Sequence, residues 1–299
     1  MPVIHNARMP FLHTLSLASG LNGWLATSLR PRLLHVFDRA CNLIDERGEV
    51  LSIVTPQIGD GPFNLVIEEN ICFSEHLRLE SEIFASPTQL HLGDLSVAVA
   101  NARIWNPCPD WEKLHAGKGE IGHRLSQLRM TNYPMPGMEI GFAAARSDSM
   151  TAHVQALVSN LSSSLAAADV PSSLLAARKL AGLGAGLTPA GDDYLMGAIY
   201  AVWIAHPFEV AGALAKKIAD TAAPLTTSLS AAWLRSAGKG EAGILWHEFF
   251  NALLSKDQAR IEESKTKILA VGESSGADAL AGFTGVFASW MEKAGFSHG

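Results

Sequence analysis

The sequence predicts an α+β protein in which a β-rich N-terminal sheet or small barrel is followed by an all-helical C-terminal domain. In the first third, short apolar runs are separated by turns rich in Gly, Pro and Asp, which is typical of closely spaced strands. After about Pro107 the chain becomes rich in Ala, Leu and Ser, and its apolar residues recur at helical spacing. We therefore expect a β-rich domain over residues 1–107 and a helical domain over residues 108–299.

The predicted strands are bounded by polar turns. Asp45–Gly48 separates two runs that can pair as a hairpin, Gly59–Pro62 interrupts the chain again, and Gly93–Asp94 joins two later runs. Because the strands are short and closely connected, the prediction is a small antiparallel sheet or barrel. The predicted strands cover residues 33–37, 40–44, 50–54, 63–67, 90–92, 95–100 and 104–105.

The predicted helices begin at residues that favour helix starts. Pro171 suits the first turn of one helix, which Gly182 can terminate. Thr188 and Pro189 favour another start, because the hydroxyl can cap the helix and proline needs no N–H partner in the first turn. The other predictions are a helix through Val154 and Leu165 that Ser147–Asp148 can cap, a connection at Asn132–Gly137, and helices over 208–221, 225–237, 243–254, 257–270 and 276–293.

The composition argues against several classes of protein. Hydrophobic residues make up 48% of the chain and charged residues 17%, as expected for a folded protein. The net charge of −6, without any Lys/Arg cluster, argues against nucleic acid as a partner. Three cysteines are too few for a disulfide framework. The apolar runs are shorter than the roughly 20 residues that a membrane helix needs. No secretion signal is evident. We expect a cytoplasmic protein that binds neither nucleic acid nor membrane.

Two octets that lie 85 positions apart share one pattern. Ala190–Gly197 reads AGDDYLMG and Ser275–Gly282 reads SGADALAG, so both have a small residue followed by Gly-x-Asp-x-Leu-x-Gly. Each has the pattern of a helix start entered from a loop rich in Gly or Ser. We predict that the two helix starts converge on one polar site, with Asp193 and Asp278 as equivalent carboxylates. A separation above about 15 Å, several times the hydrogen-bond range, would contradict this.

The loop before the first octet favours a negatively charged ligand. Gly184 and Gly186 allow positive φ and a close approach of the backbone, and the next helix offers free N–H groups and its dipole. The Thr188 hydroxyl adds a donor. Asp192 and Asp193 would repel an unaided phosphate, which leaves three interpretations. They hold a divalent metal such as Mg²⁺, they orient an amide or ammonium group, or they stabilise the helix start by roughly 0.3–1 kcal/mol each.

Two further segments have both a structural and a functional interpretation. Ser275 and Asp278 have the spacing of a capping box. Thr227 and Ser230 lie on one helix face and either cap that helix or donate to a ligand oxygen. The candidate site comprises Asp193, Thr188 and Asp278 as catalytic residues; Gly184, Gly186, Gly191, Asp192, Thr227, Ser230, Ser275 and Gly276 as ligand-binding residues; and Asp192, Asp193 and Asp278 as ligands of Mg²⁺, although the motifs require no cofactor.

The segment Gly182–Gly197 resembles the hallmark of the bacterial family DUF2877, G-x-G-x-G-L-T-P-x-G-D-D-x-L-x-G. Thr226–Ser230 and Gly272–Gly282 are similar to two other motifs of this family. For one branch of the family, the resemblance implies a component of oxamate carbamoyltransferase in anaerobic allantoin breakdown. That enzyme exchanges a carbamoyl group between oxalurate or oxamate and phosphate. The resemblance also implies acyl-CoA-synthetase-like partner subunits.

Three functions are compatible with these residues. The leading hypothesis is a carbamoyltransferase subunit that acts on a small oxyanion or amide. Asp193 would serve as general base or cation ligand, and backbone N–H groups or threonine hydroxyls would stabilise the tetrahedral oxyanion. The first alternative is a Mg²⁺-dependent hydrolase that uses Asp192, Asp193 and Asp278. The second is a non-catalytic subunit or sensor that binds a small anion.

Overall fold

The computed structural model describes residues 11–127 and 148–295, with side chains in the second range described from residue 153 onward. The predicted connection at Asn132–Gly137 and the predicted cap Ser147 lie outside the described residues. The chain divides between Pro107 and Cys108 into two compact units. Within the described residues, none of the helices combines the length and the apolar character needed to cross a membrane.

The N-terminal unit is a nearly closed, barrel-like sheet, which confirms the predicted β-rich fold. The strands follow the order β2-β3-β4-β5-β1-β8-β7-β6, and β9 pairs with β1. The bounds are β1 Phe11–Ala18, β2 Arg32–Val36, β3 Ala40–Ile44, β4 Val50–Val54, β5 Asn64–Ile67, β6 Ile83–Ala85, β7 Gln89–Leu92, β8 Leu95–Ala98 and β9 Arg103–Trp105, with the short helices α1 Leu21–Thr27 and α2 Phe73–His76.

The central strand β1 differs from the prediction. The sequence does not predict it, because two of its buried residues, Thr14 and Ser16, are polar, while Phe11 and Leu15 are exposed. The Thr14 hydroxyl donates to the Ala98 carbonyl over 2.7 Å, which satisfies one of these buried groups. Strand β1 pairs in parallel with β8 and β9, and β4 pairs in parallel with β5. The sheet is therefore mixed rather than antiparallel, while the predicted barrel and the predicted β3–β4 hairpin are confirmed.

The C-terminal unit is helical, as predicted. Its described helices are α3 Trp111–Ala116, α4 Lys118–Gln127, α5 Asp148–Ala166, α6 Val170–Leu180, α7 Ala190–Ala205, α8 Phe208–Ala222, α9 Ser228–Gly238, α10 Ile244–Leu254, α11 Gln258–Leu269 and α12 Ser275–Lys293, with the 3₁₀ turn Ala223–Leu225 before α9. The sequence does not predict α3 and α4. The α3 start is capped by Asp110, whose carboxylate accepts the Lys113 N–H over 3.0 Å.

Helix α7 forms the centre of the C-terminal unit. All of its residues except Met196 are buried, as expected for a helix that is apolar on every side. Aromatic rings surround its second half, where Tyr200 packs against Trp111, Trp246 and Phe250. The two aspartates in the first turn of α7 consequently lie in the interior of the unit.

Candidate functional site

Helices α7 and α12 cross with their backbones in direct contact. A Cβ atom on Gly197 would lie 1.7 Å from the Ala279 carbonyl oxygen, and a Cβ atom on Gly282 would lie 2.0 Å from the Tyr194 carbonyl oxygen. Only glycine allows so close an approach. The two helices therefore meet through their octets.

The starts of α7 and α12 meet through two hydroxyl groups. Thr188 Oγ1 and Ser275 Oγ lie 3.0 Å apart, which confirms that the helix starts converge. The predicted caps are wrong. Pro189 is the N-cap residue of α7 and Ser274 that of α12, and neither helix has a side-chain cap. The hydroxyls of Thr188 and Ser275 bond to each other across the two helices instead of capping their own helices.

Asp193 is a buried carboxylate with an unsatisfied oxygen. Its exposed fraction is 8%, and its Oδ2 atom has no hydrogen-bond partner among the described residues. Burial raises the pKa of Asp193 well above its ordinary value, and the charges of Asp278 and Asp192 raise it further. The hydroxyls of Ser275 and Thr188 act in the opposite direction and lower it. Asp278 is fully buried on the facing helix.

Asp192 uses both carboxylate oxygens within the protein. Oδ1 accepts the Gly182 N–H over 2.9 Å, and Oδ2 accepts a short hydrogen bond from the Thr226 hydroxyl. Burial raises the pKa of Asp192, while the hydrogen bonds from Thr226 and Gly182 lower it. Asp192 thus ties the glycine-rich loop to the segment that precedes α9. The sequence motif contains Thr226, but the sequence alone does not indicate this pairing.

The glycines of the site have two different roles. Gly184 has φ +122°, and a Cβ atom there would lie 2.7 Å from the Ala190 nitrogen, so the loop requires glycine at this position. Gly186 also has positive φ and faces open space. In contrast, Gly191 and Gly276 press against helix carbonyls, since their Cβ atoms would lie 2.0 Å from Leu180 O and 1.8 Å from Ile268 O. Their N–H groups also bond to backbone carbonyls.

Thr227 and Ser230 lie at the start of α9, next to Thr226, which bonds to Asp192. The Thr227 hydroxyl caps α9 by accepting the Ser230 N–H over 3.1 Å, and it donates to the Leu187 carbonyl over 2.6 Å. Ser230 is buried, and its hydroxyl lies close enough to Asp192 to lower the pKa of that carboxyl. Thr227 therefore has the capping role, and Ser230 keeps a hydroxyl near the site.

The predicted metal ligands do not form a compact set of three. Among the described residues, the group whose ligand atoms all lie within 4.8 Å consists of His13, Glu68 and Glu69 in the N-terminal unit. The sequence reasoning missed this group, because the pairing of β1 with β5 brings His13 to the two glutamates across a long separation in sequence. In the C-terminal unit, the contacts of Asp192 leave Asp193 and Asp278 as a pair.

Comparison with known families gives two matches that together cover most of the chain. Residues 180–287, which contain both octets and the Thr226–Ser230 segment, match the family described as oxamate carbamoyltransferase subunit AllH. Residues 22–104 match the AllH family N-terminal domain. No solved structure matches the chain.

Proposed function

The chain belongs to the AllH family, and we propose that it works as a subunit of a cytoplasmic oxamate carbamoyltransferase in allantoin catabolism. In this proposal the amide group of a small substrate binds where α7 and α12 converge. Acyl-CoA-synthetase-like subunits complete the enzyme. Asp193 and Asp278 are the carboxylates of the site, and Thr188 and Ser275 are its hydroxyl groups.

The unsatisfied Oδ2 atom of Asp193 carries this proposal. A buried polar atom without a partner costs roughly 1–3 kcal/mol, so such an atom in a native structure needs an explanation. A primary amide has N–H donors that a carboxylate oxygen accepts. Oxamate and the carbamoyl group both contain this amide, and its binding would satisfy Asp193.

The neighbouring groups suit carbamoyl transfer. When the oxamate nitrogen attacks the carbamoyl carbon, it must lose a proton, and the carbonyl oxygen gains negative charge. Asp193, whose pKa is raised by burial, is suited to accept that proton. The hydroxyls of Thr188 and Ser275 contact each other and Asp193, and in this proposal one of them turns from Asp193 to donate to the developing oxyanion.

The contacts of Asp192 favour this proposal over a Mg²⁺-dependent hydrolase. The hydrolase would need Asp192, Asp193 and Asp278 on one ion, but Asp192 already accepts hydrogen bonds from Gly182 and Thr226. Within the described residues, these three carboxylates also do not bring their ligand atoms within 4.8 Å of one another, so they form no compact metal site. Sensitivity of the reaction to EDTA would reveal a Mg²⁺ ion bound by Asp193 and Asp278 alone.

Reconstitution tests the proposed function. The chain is purified with the candidate partner subunits, and oxamate formation from oxalurate is followed with and without phosphate and with and without EDTA. We expect phosphate-dependent carbamoyl transfer that disappears when this chain is omitted. Oxalurate cleavage that needs no phosphate and stops with EDTA would instead indicate the hydrolase. Full activity without this chain would overturn its role in the reaction.

A further inference from the structure

The hairpins α6–loop–α7 and α11–loop–α12 are related by an approximate two-fold axis. The close contacts between α7 and α12 are reciprocal, because Gly197 approaches the carbonyl of Ala279 and Gly282 approaches that of Tyr194, its counterpart. The next contacts are equivalent as well. The Cβ positions of Gly197 and Gly282 both lie 3.0 Å from a backbone nitrogen one turn further on, in Phe283 and Ala198 respectively.

The equivalence extends to the preceding helix of each hairpin. Gly191 and Gly276, the second residues of the octets, each press against a carbonyl in the last turn of that helix. Each also donates its N–H to a loop carbonyl, Gly191 to Leu183 over 2.8 Å and Gly276 to Val271 over 3.1 Å. The repeat is therefore a helical hairpin rather than a short sequence coincidence.

The two-fold relation makes Asp193 and Asp278 structural counterparts. They occupy the same position in the two octets, both are more than nine-tenths buried, and each lies within the electrostatic field of the other. The unsatisfied Oδ2 atom of Asp193 indicates that Asp193 receives a donor from outside the chain. A site with two equivalent acceptors suits two ligands that carry the same donor group.

We infer that the two halves of this site each hold one of the two substrates through the group that both share, H₂N–C(=O)–. This inference rests on the proposed function. Oxamate is H₂N–CO–COO⁻, and the carbamoyl donor is H₂N–CO–OPO₃²⁻. Asp193 accepts an N–H of oxamate, and Asp278 accepts an N–H of the carbamoyl donor. The approximate two-fold axis then sets two like groups opposite each other.

The resulting transfer step is balanced. The oxamate nitrogen forms a bond to the carbamoyl carbon, and the bond from that carbon to the bridging oxygen breaks. Phosphate leaves with the electron pair. The nitrogen loses one proton to the carboxylate that holds it, and the product is oxalurate. No oxidant, reductant or further reactant is required.

Binding of the two ligands by the assembled enzyme tests this inference. The probes are oxamate and phosphonoacetamide, in which CH₂ replaces the bridging oxygen of carbamoyl phosphate. We expect Asp193→Asn to weaken oxamate binding about tenfold, equivalent to about 1.4 kcal/mol, and to leave phosphonoacetamide binding within about twofold. Asp278→Asn should show the opposite selectivity. Asp220→Asn, which changes an exposed carboxylate on α8, should affect neither probe.

The outcomes separate the inference from the proposed function. If Asp193→Asn weakens both probes equally, the inference is overturned even though the enzyme transfers carbamoyl groups. If Asp278→Asn fails to assemble, the selectivity of Asp193→Asn alone decides the inference. If the unmodified complex binds neither probe and transfers no carbamoyl group, the proposed function fails as well.

Discussion

The hydroxyl oxygens of Thr188 and Ser275 lie 3.0 Å apart and join the starts of α7 and α12. This contact connects two residues that are far apart in the sequence. It lies beside Asp193, whose pKa both hydroxyls lower. The two helix starts consequently form one polar centre inside the helical unit.

The close contact between α7 and α12 at Gly197 and Gly282 should not tolerate an added methyl group. Gly282→Ala would place a Cβ atom 2.0 Å from the Tyr194 carbonyl oxygen, so α7 and α12 must separate. We expect a loss of about 1–3 kcal/mol in the free energy of unfolding, measured by urea denaturation. Gly23→Ala in α1 is the control, because it meets nothing within 4 Å and should gain up to about 1 kcal/mol. Equal stability of the Gly282→Ala protein and the unmodified protein would contradict the tight crossing.

The hydrogen bond between Thr226 and Asp192 should stabilise the glycine-rich loop. Thr226→Val removes the hydroxyl donor and leaves a buried carboxylate oxygen without it, which should cost about 1.5–3 kcal/mol in the free energy of unfolding. Thr226→Ser keeps the hydroxyl and should recover most of that stability. Equal melting temperatures of the Thr226→Val and Thr226→Ser proteins would show that the Thr226–Asp192 hydrogen bond does not stabilise the loop.

The raised pKa of Asp193 should make stability depend on pH. The folded state holds the Asp193 proton more tightly than the unfolded state, whose Asp pKa is about 3.9. The Asp193 contribution is therefore fully present below pH 3.9 and is lost as pH rises through the raised folded pKa. We measure the free energy of unfolding by urea denaturation at several pH values. The value for Asp193→Asn, relative to that for the unmodified protein, should increase with pH across that window. A difference that stays constant with pH would contradict the raised pKa.

The Thr188 hydroxyl should affect activity rather than helix formation, because it does not cap α7. If it stabilises the oxyanion, Thr188→Val should lower kcat in the reconstituted enzyme about 10²–10³-fold. Thr188→Ser should retain activity, and Thr266→Val on the exposed face of α11 provides a control. Unchanged kcat in Thr188→Val would remove this hydroxyl from the mechanism.

The sequence predicts the helices of the C-terminal unit from α5 onward, because their apolar residues recur at helical spacing over long segments, but it misses the short helices α3 and α4. It also predicts the convergence of the octets, since capping alone does not require Leu and Gly at matching offsets. It misses β1, where Thr14 and Ser16 face inward and reverse the usual alternation.

Tertiary partners explain the remaining differences from the sequence predictions. The predicted caps Thr188 and Ser275 contact each other, and Asp192 bonds to Thr226 far along the chain. Local sequence rules describe what a side chain can bond to within its own turn. They cannot show that a partner from another helix competes for the same hydroxyl or carboxylate.

The central claim is that Asp193 contacts the reacting amide, and one activity measurement tests it directly. Phosphate-dependent cleavage of oxalurate is compared in reconstituted enzymes that carry the unmodified chain, Asp193→Asn or the surface control Asp220→Asn. For Asp193→Asn we predict a loss of about 10²–10⁴-fold in kcat, as expected for removal of a general base, with the complex still assembled. The control should keep full activity. An assembled Asp193→Asn enzyme whose kcat lies within about twofold of the unmodified enzyme would contradict the claim.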